Sequence, residues 1–328
     1  MKYRTLGKTG LKISEISLGT WQVGGKWGTE FDNDNAERII NSAIDTGVNF
    51  IDTADVYGNG LSEAAVGRVV RSRSEKVYVA SKCGRQITPH RNEGYKPEVL
   101  TTYVEDTLRR TGLETLDLIQ LHCPPTDVYY RPEIFETFDQ LKKSGKIQHF
   151  GVSVEKVEEG IKAMEYDIVA TIQLIFNIFR QRPKEKIFPQ AKEKNVGIIV
   201  RVPLASGLLS GKYSKDTVFN KDDHRNFNRE GQVFDKGETF AGVDYEQGLK
   251  AVRELEGLFP DSVNLAQIAL QWILRFEEVS CVIPGASRPE QVESNISAFD
   301  APHLTAEQME EIEKIYNQYI KPQVHQRW

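Results

Sequence analysis

Asp52, Lys82 and His122 each close a short apolar run: Asn49-Phe50-Ile51-Asp52, Val79-Ala80-Ser81-Lys82 and Leu118-Ile119-Gln120-Leu121-His122. Tyr57 follows Asp52 by five residues, in the segment that leaves the first of these runs. Together these four side chains make a general acid. A free phenol titrates near ~10, too high to donate readily at neutral pH. A neighbouring ammonium favours the phenolate and eases the proton's departure. Lys82 supplies that charge and Asp52 holds it in place. His122 donates a hydrogen bond to a carbonyl oxygen, and Tyr57 protonates that oxygen as hydride reaches the carbon. One strand-end charge is most often a rim ion pair. Three on consecutive strands is the pattern of a site.

The elements that position these groups follow from hydrophobic period. Short runs rich in Val, Ile and Leu occur at Ile16–Thr20, Asn49–Asp52, Val77–Lys82, Leu116–His122, His149–Ser153, Thr171–Leu174, Gly197–Val202 and Cys281–Ile283. Strands buried on both faces read this way. Amphipathic helices separate them. One carries Ala36, Ile39, Ile40 and Ala43 on a face behind an Asp34…Glu37 capping pair. Another runs from Pro97 to Gly112, and a third starts near Pro132 with Ile134, Phe135, Phe138 and Leu141 inward. Eight strand–helix units over residues 1–328 imply an α/β fold, a single (β/α)8 TIM-barrel domain. Lys2–Ile13 reads as an N-terminal β-hairpin that plugs the barrel bottom. Extra helices are expected at Tyr245–Leu258 and, near the C-terminus, at Thr305–Tyr319. An open doubly wound sheet would want a Gly-rich fingerprint after the first strand, and Gly19-Thr20-Trp21-Gln22-Val23-Gly24-Gly25 is not one.

Composition narrows the partners. A formal charge of −5, with no basic stretch interleaved with aromatics, argues against nucleic acid. No run approaches the apolar length of a membrane span, and Met1–Gly10 lacks a signal peptide's apolar core, so a cytoplasmic location is expected. Cys83, Cys123 and Cys281 are too scattered for a disulfide framework or a thiolate zinc site. Only His122 among the histidines ends a strand, and no metal is expected.

Asp52, Tyr57, Lys82 and His122, within NFIDTADVYGNGLSEAAVG, VASK and LIQLH, resemble the tetrad of the aldo-keto reductases. The similarity runs from LGKTGLKISEISLGTW to IPGASRPEQVESN and points to the bacterial branch that is also similar to potassium-channel β-subunits. The resemblance implies NADPH/NADP+ laid across the barrel mouth and a small carbonyl or alcohol substrate. Gly19, Thr20 and Trp21 would lie near the nicotinamide, with Ser153 and Gln173 at its carboxamide. Leu204, Ser206, Gly207, Leu209, Gly211 and Lys212 of PLASGLLSGKY would form the pyrophosphate loop; alone, that stretch reads as well as an exposed loop. After Gly285, a capping box of Ser287 and Glu290 would open a helix. Ser287 and Arg288 would meet the 2′-phosphate there, and Gln291 and Asn295 the adenosine. The sequence departs from the family pattern twice. Val154 stands where an asparagine is common, and Arg201 stands where an aromatic ring stacks on the nicotinamide.

The activity expected is NADPH-dependent reduction of an aldehyde or ketone, sugar-like or aromatic, to its alcohol. Two rivals differ in chemistry. A Schiff-base aldolase would use Lys82 as nucleophile without needing Asp52 and Tyr57. A redox-sensing module would keep cofactor and tetrad but turn over slowly. Substrate choice is assigned to Arg85–Tyr95, Cys123–Tyr130, Ala205–Val243 and Lys321–Trp328, with Trp27, Tyr129, Tyr130 and Trp328 as the aromatic contacts.

Overall fold

The computed structural model describes residues 1–25, 30–260 and 262–328; Trp27 lies outside them. A hairpin of β1 (Tyr3–Thr5) and β2 (Lys12–Ser14) precedes eight parallel strands: β3 (Leu18–Gly19), β4 (Phe50–Asp52), β5 (Tyr78–Cys83), β6 (Leu116–His122), β7 (Ile147–Ser153), β8 (Val169–Ile175), β9 (Gly197–Arg201) and β10 (Val279–Val282). Each pairs with its sequence neighbour. Parallel bridges from Ile16 to Val282 and from Gly19 to Gly285 join the last strand to the first and close the ring. The expected (β/α)8 barrel is thus present.

Helices α1 (Asn33–Asp45), α2 (Leu61–Ser72), α3 (Pro97–Thr111), α4 (Pro132–Lys143), α5 (Val157–Ala163) and α6 (Pro183–Glu193) cover the first strands. After β9 come α7 (His224–Phe227), α8 (Tyr245–Glu256) and α9 (Leu265–Leu274). After β10 come α10 (Pro289–Ile296), α11 (Ala306–Ile315) and α12 (Lys321–Val324). Proline at the first turn starts α3 and α4, and Gly112 ends α3 in the left-handed region. The capping of α1 differs from expectation. Asp32, not Asp34, is the N-cap and accepts the Asn35 amide, because the helix begins two residues earlier and Asp34 falls inside its first turn.

Strand period 2 fixes what the barrel encloses. Phe50, Ala80, Leu118, Ile199 and Cys281 form one buried layer with Leu6, Ile13 and Ile283, so the hairpin does fill the barrel bottom. Arg4 ties it there, donating to the carbonyls of Leu274, Phe276 and Val279. Two residues further along the same strands stand Asp52, Lys82, Gln120 and Arg201. Lys82 is in register with Gln120, and Gln173 with Ser153. An apolar layer therefore supports a polar one at the C-terminal ends of the strands, where barrel chemistry is carried out.

Candidate active site

In the polar layer Lys82 is the hub. Its Nζ donates to Asp52 Oδ1, to the Thr53 carbonyl at 2.9 Å and to the Tyr57 hydroxyl at 3.4 Å. The other oxygen of Asp52 accepts from Gln173 Nε2 at 2.8 Å and from Gln120 Nε2 at 3.2 Å. A buried carboxylate satisfied on both oxygens fixes the ammonium that faces the phenol. Burial alone would lower Lys82, but Asp52 and Tyr57 outweigh it and hold the amine above its ordinary value. Burial raises the Tyr57 phenol above 10, with Lys82 pulling the other way. The sequence reading had the lysine dominate; the low-dielectric surroundings win, and the phenol keeps its proton. His122 stands edge-on to Tyr57, ring centroids 6.0 Å apart. Burial and the charges of Arg85, Lys82 and Arg201 push the imidazole well below 6.5, so it is neutral.

These groups open onto a cavity of about 530 Å³. Asp52, Tyr57 and His122 line it, together with Gly19, Thr20, Trp21, Gln173, Arg201, Leu204, Ser206, Gly207, Lys212, Gly285, Gln291 and Asn295 from the sequence reading. Lys82 sits behind the wall. Ser153, Leu209, Gly211, Ser287 and Arg288 do not line the cavity. Ser153 is buried behind Gln173, and Arg288 is 61% exposed beside the mouth. The expected capping box is replaced. Gln291, not Glu290, reaches back to the Ser287 amide at 2.7 Å, while Glu290 turns toward Arg288 at 3.6 Å. The helix starts at Pro289, which places Arg288 at its N-cap.

The chain after β9 is strained where it turns over the cavity. Val202, Ala205 and Ser206 have φ of 52°, 47° and 56°, a conformation that side chains rarely adopt. Gly207 is required there. Its φ is 89°, and a Cβ would stand 2.6 Å from the Tyr213 hydroxyl.

Arg201 does not lie free as a stacking plane. Its guanidinium donates to Glu155 at 2.9 Å and to the Val154 carbonyl at 3.1 Å, and it approaches Glu238 at 3.7 Å. Arg85 pairs with the same Glu238 at 2.9 Å. Arg85 and Arg201 hold Glu238 below the usual carboxylate range in spite of its burial. Burial and the Glu238 charge push Glu155 up, against Arg201. Cys123, Glu155 and Glu238 bring their ligand atoms within 4.8 Å of one another, but the guanidinium groups already supply cationic charge there.

The expected substrate loops Arg85–Tyr95 and Ala205–Val243 do supply Arg85, Tyr213, His224, Arg225, Phe234 and Glu238 to the lining, none of which the sequence singled out for a role, whereas Asn264 and Ser294 were not anticipated. Arg85, three residues past Lys82, carried a usable signal; most of the others lie in the aperiodic stretch 202–243. Of the aromatic residues named from sequence, the three that are described lie outside the cavity lining. Tyr129 is buried in the core, Tyr130 is 62% exposed, and Trp328 packs on Arg180 with 3.9 Å between the guanidinium carbon and the ring centre.

The family model described as Aldo/keto reductase family matches residues 15–317. The aldo-keto reductase YhdN of Bacillus subtilis is 29% identical, with 99% of this chain and 96% of the relative covered. A probable voltage-gated potassium channel subunit beta of Arabidopsis thaliana is 28% identical over 96% of both chains. An NADH-specific methylglyoxal reductase of Escherichia coli is 29% identical, over 92% of this chain and 94% of the relative. Among solved structures, the holo form of the aldo-keto reductase AKR11C1 from Bacillus halodurans superposes with a TM-score of 0.78, 28% identity and 99% of both chains covered. Among the described residues no helix is long and apolar enough to cross a membrane.

Proposed function

The chain belongs to the aldo/keto reductase family, and on that premise we propose that it reduces an aldehyde or ketone to the alcohol, with Tyr57 as proton donor and NADPH as the preferred cofactor. The observation that carries this reading is the Lys82 ammonium held between Asp52 and the Tyr57 hydroxyl at the wall of the cavity. When bound, the nicotinamide supplies hydride to the carbonyl carbon. The chain's own groups manage the oxygen. His122, neutral, offers an N–H to it, and Tyr57 transfers its proton while Lys82 stabilises the phenolate left behind. Gln173, which donates to Asp52 and lines the cavity, would hold the carboxamide of the bound nicotinamide. The cavity suits a dinucleotide at its far end. Lys212 brings positive charge, and the turn around Gly207 brings backbone.

The preference for NADPH rests on Arg288. Its guanidinium is largely exposed, with Glu290 at 3.6 Å, and it caps the helix that carries Gln291 and Asn295. The Escherichia coli relative's description as NADH-specific makes this a property to be measured on this chain. Initial rates with an aldehyde and ketone panel, each with NADPH and NADH, and with alcohols and NADP+ in reverse, test the reading. Carbonyl-dependent NADPH oxidation with the lower cofactor KM is expected. Equal use of NADH would overturn the preference, and no turnover on any carbonyl would overturn the reductase reading in favour of a binding module.

A further inference from the structure

His224 is the one other histidine in the cavity wall among the described residues, and no reaction step uses it. It opens the short helix α7, in the chain that roofs the barrel after β9. The residue is 7% exposed. Trp21, two residues past β3, packs on its ring with centroids 4.8 Å apart, and Phe234 flanks it at 6.3 Å. The ring's orientation is therefore fixed by two aromatic neighbours rather than by hydrogen bonds. Its nitrogens differ. The Asp223 carboxylate lies 3.6 Å from Nδ1 and is kept ionised by three donors of Arg225. Nε2 has no hydrogen-bond partner among the described residues. The negative charge beside Nδ1 places the ring proton there, which leaves Nε2 as a lone-pair acceptor. A buried acceptor without a partner is destabilising, and a ligand donor removes that cost.

We propose that His224 Nε2 accepts a hydrogen bond from a hydroxyl of the substrate, and so selects hydroxylated aldehydes and ketones over their deoxy counterparts. The inference rests on the reductase reading for its reaction and on the orphaned imidazole nitrogen for its substrate class. Burial pushes the ring down to about 4, so it stays a neutral acceptor at physiological pH. A site built to bond a substrate hydroxyl rejects the analogue that lacks it, because the protein group is then left unpaired.

The test compares glyceraldehyde with propanal, two aldehydes of the same chain length. His224→Phe keeps a ring between Trp21 and Phe234 and removes the acceptor. His224→Gln returns an acceptor oxygen. In His224→Phe, kcat/KM for glyceraldehyde relative to propanal is expected to fall about tenfold, chiefly through KM, and His224→Gln to recover part of it. An unchanged ratio, or an equal loss on both aldehydes, would overturn the proposal and leave His224 as roof packing. A second readout does not depend on turnover. In histidine-labelled protein holding NADP+, the Nε2 nitrogen resonance should move upfield with glycerol and not with 1-propanol. An unmoved resonance overturns the proposal. If the wild type reduced neither aldehyde while the resonance moved, only the reductase reading would fall.

Discussion

A phenol buried beside an ammonium is pulled two ways, and at Tyr57 the burial is stronger. That outcome suits a proton donor, which must hold its proton until charge develops on the substrate oxygen. Arg201 shows the same local balance with a different result. Two glutamates hold its charge within the wall, so the position usually given to a stacking ring becomes part of an ion-pair cluster. Beside the cavity mouth, Arg288 is 61% exposed, with the exposed Glu290 at 3.6 Å. A charge-assisted hydrogen bond to a phosphate contributes about 1.5–3 kcal/mol, which corresponds to tenfold or more in affinity. Arg288→Ala is accordingly expected to raise KM for NADPH about tenfold or more, leave that for NADH nearly unchanged, and make NADPH binding less sensitive to salt. Initial rates with both cofactors at two ionic strengths check this; equal shifts in both constants would remove Arg288 from the 2′-phosphate.

The turn from β4 into α2 carries both Tyr57 and a carboxyl that sequence reading passed over. Asp55 is fully buried and neither of its oxygens has a hydrogen-bond partner among the described residues. Burial first, and then the neighbouring Glu63, push it up to about 7, against Arg110 and Lys82. In the unfolded chain an aspartate titrates near ~3.9. The folded state thus binds this proton more tightly. Its contribution is complete below about pH 4 and is lost as pH rises through 7. Between pH 4 and pH 8, wild type should therefore lose more resistance to urea than Asp55→Asn does. Parallel pH slopes for the two proteins would mean that Asp55 is ionised or solvated at all these values. Elements such as this one were readable to different depths. Strand ends were readable, because an apolar run that stops at Asp52, Lys82 or His122 marks both the element and the site. Caps shifted by two residues at α1 and by one at α10, since Asp32, Asp34, Gln291 and Glu290 are interchangeable in pattern and differ only in backbone geometry. Residues 213–243 were readable only as a loop facing the site, without the individual lining residues. Their contacts are long-range and aperiodic, as in the packing of Trp21 on His224.

At the scale of the whole molecule, distant parts of the chain converge on one mouth. The bottom is sealed by the hairpin through Leu6 and Ile13, which leaves the C-terminal face open for chemistry. The roof is pinned from three directions. Glu238 is gripped by Arg85 and Arg201, Trp21 packs on His224, and Trp328 donates its indole N–H to Asp235 at 2.9 Å. The barrel thus brings the proposed proton donor from the β4 end, its proposed charge support from β5 and the proposed hydrogen-bond donor from β6 to one enclosed space. The measurement that bears most directly on this account pairs NADPH binding, followed by quenching of protein fluorescence, with steady-state reduction of an aldehyde that wild type accepts, in wild type and Tyr57→Phe. The phenylalanine ring preserves the cavity wall and removes only the hydroxyl. The account predicts NADPH affinity within about twofold of wild type and a fall in kcat of about 10²–10⁴-fold, the usual contribution of a positioned general acid. Turnover by Tyr57→Phe close to that of wild type would contradict it.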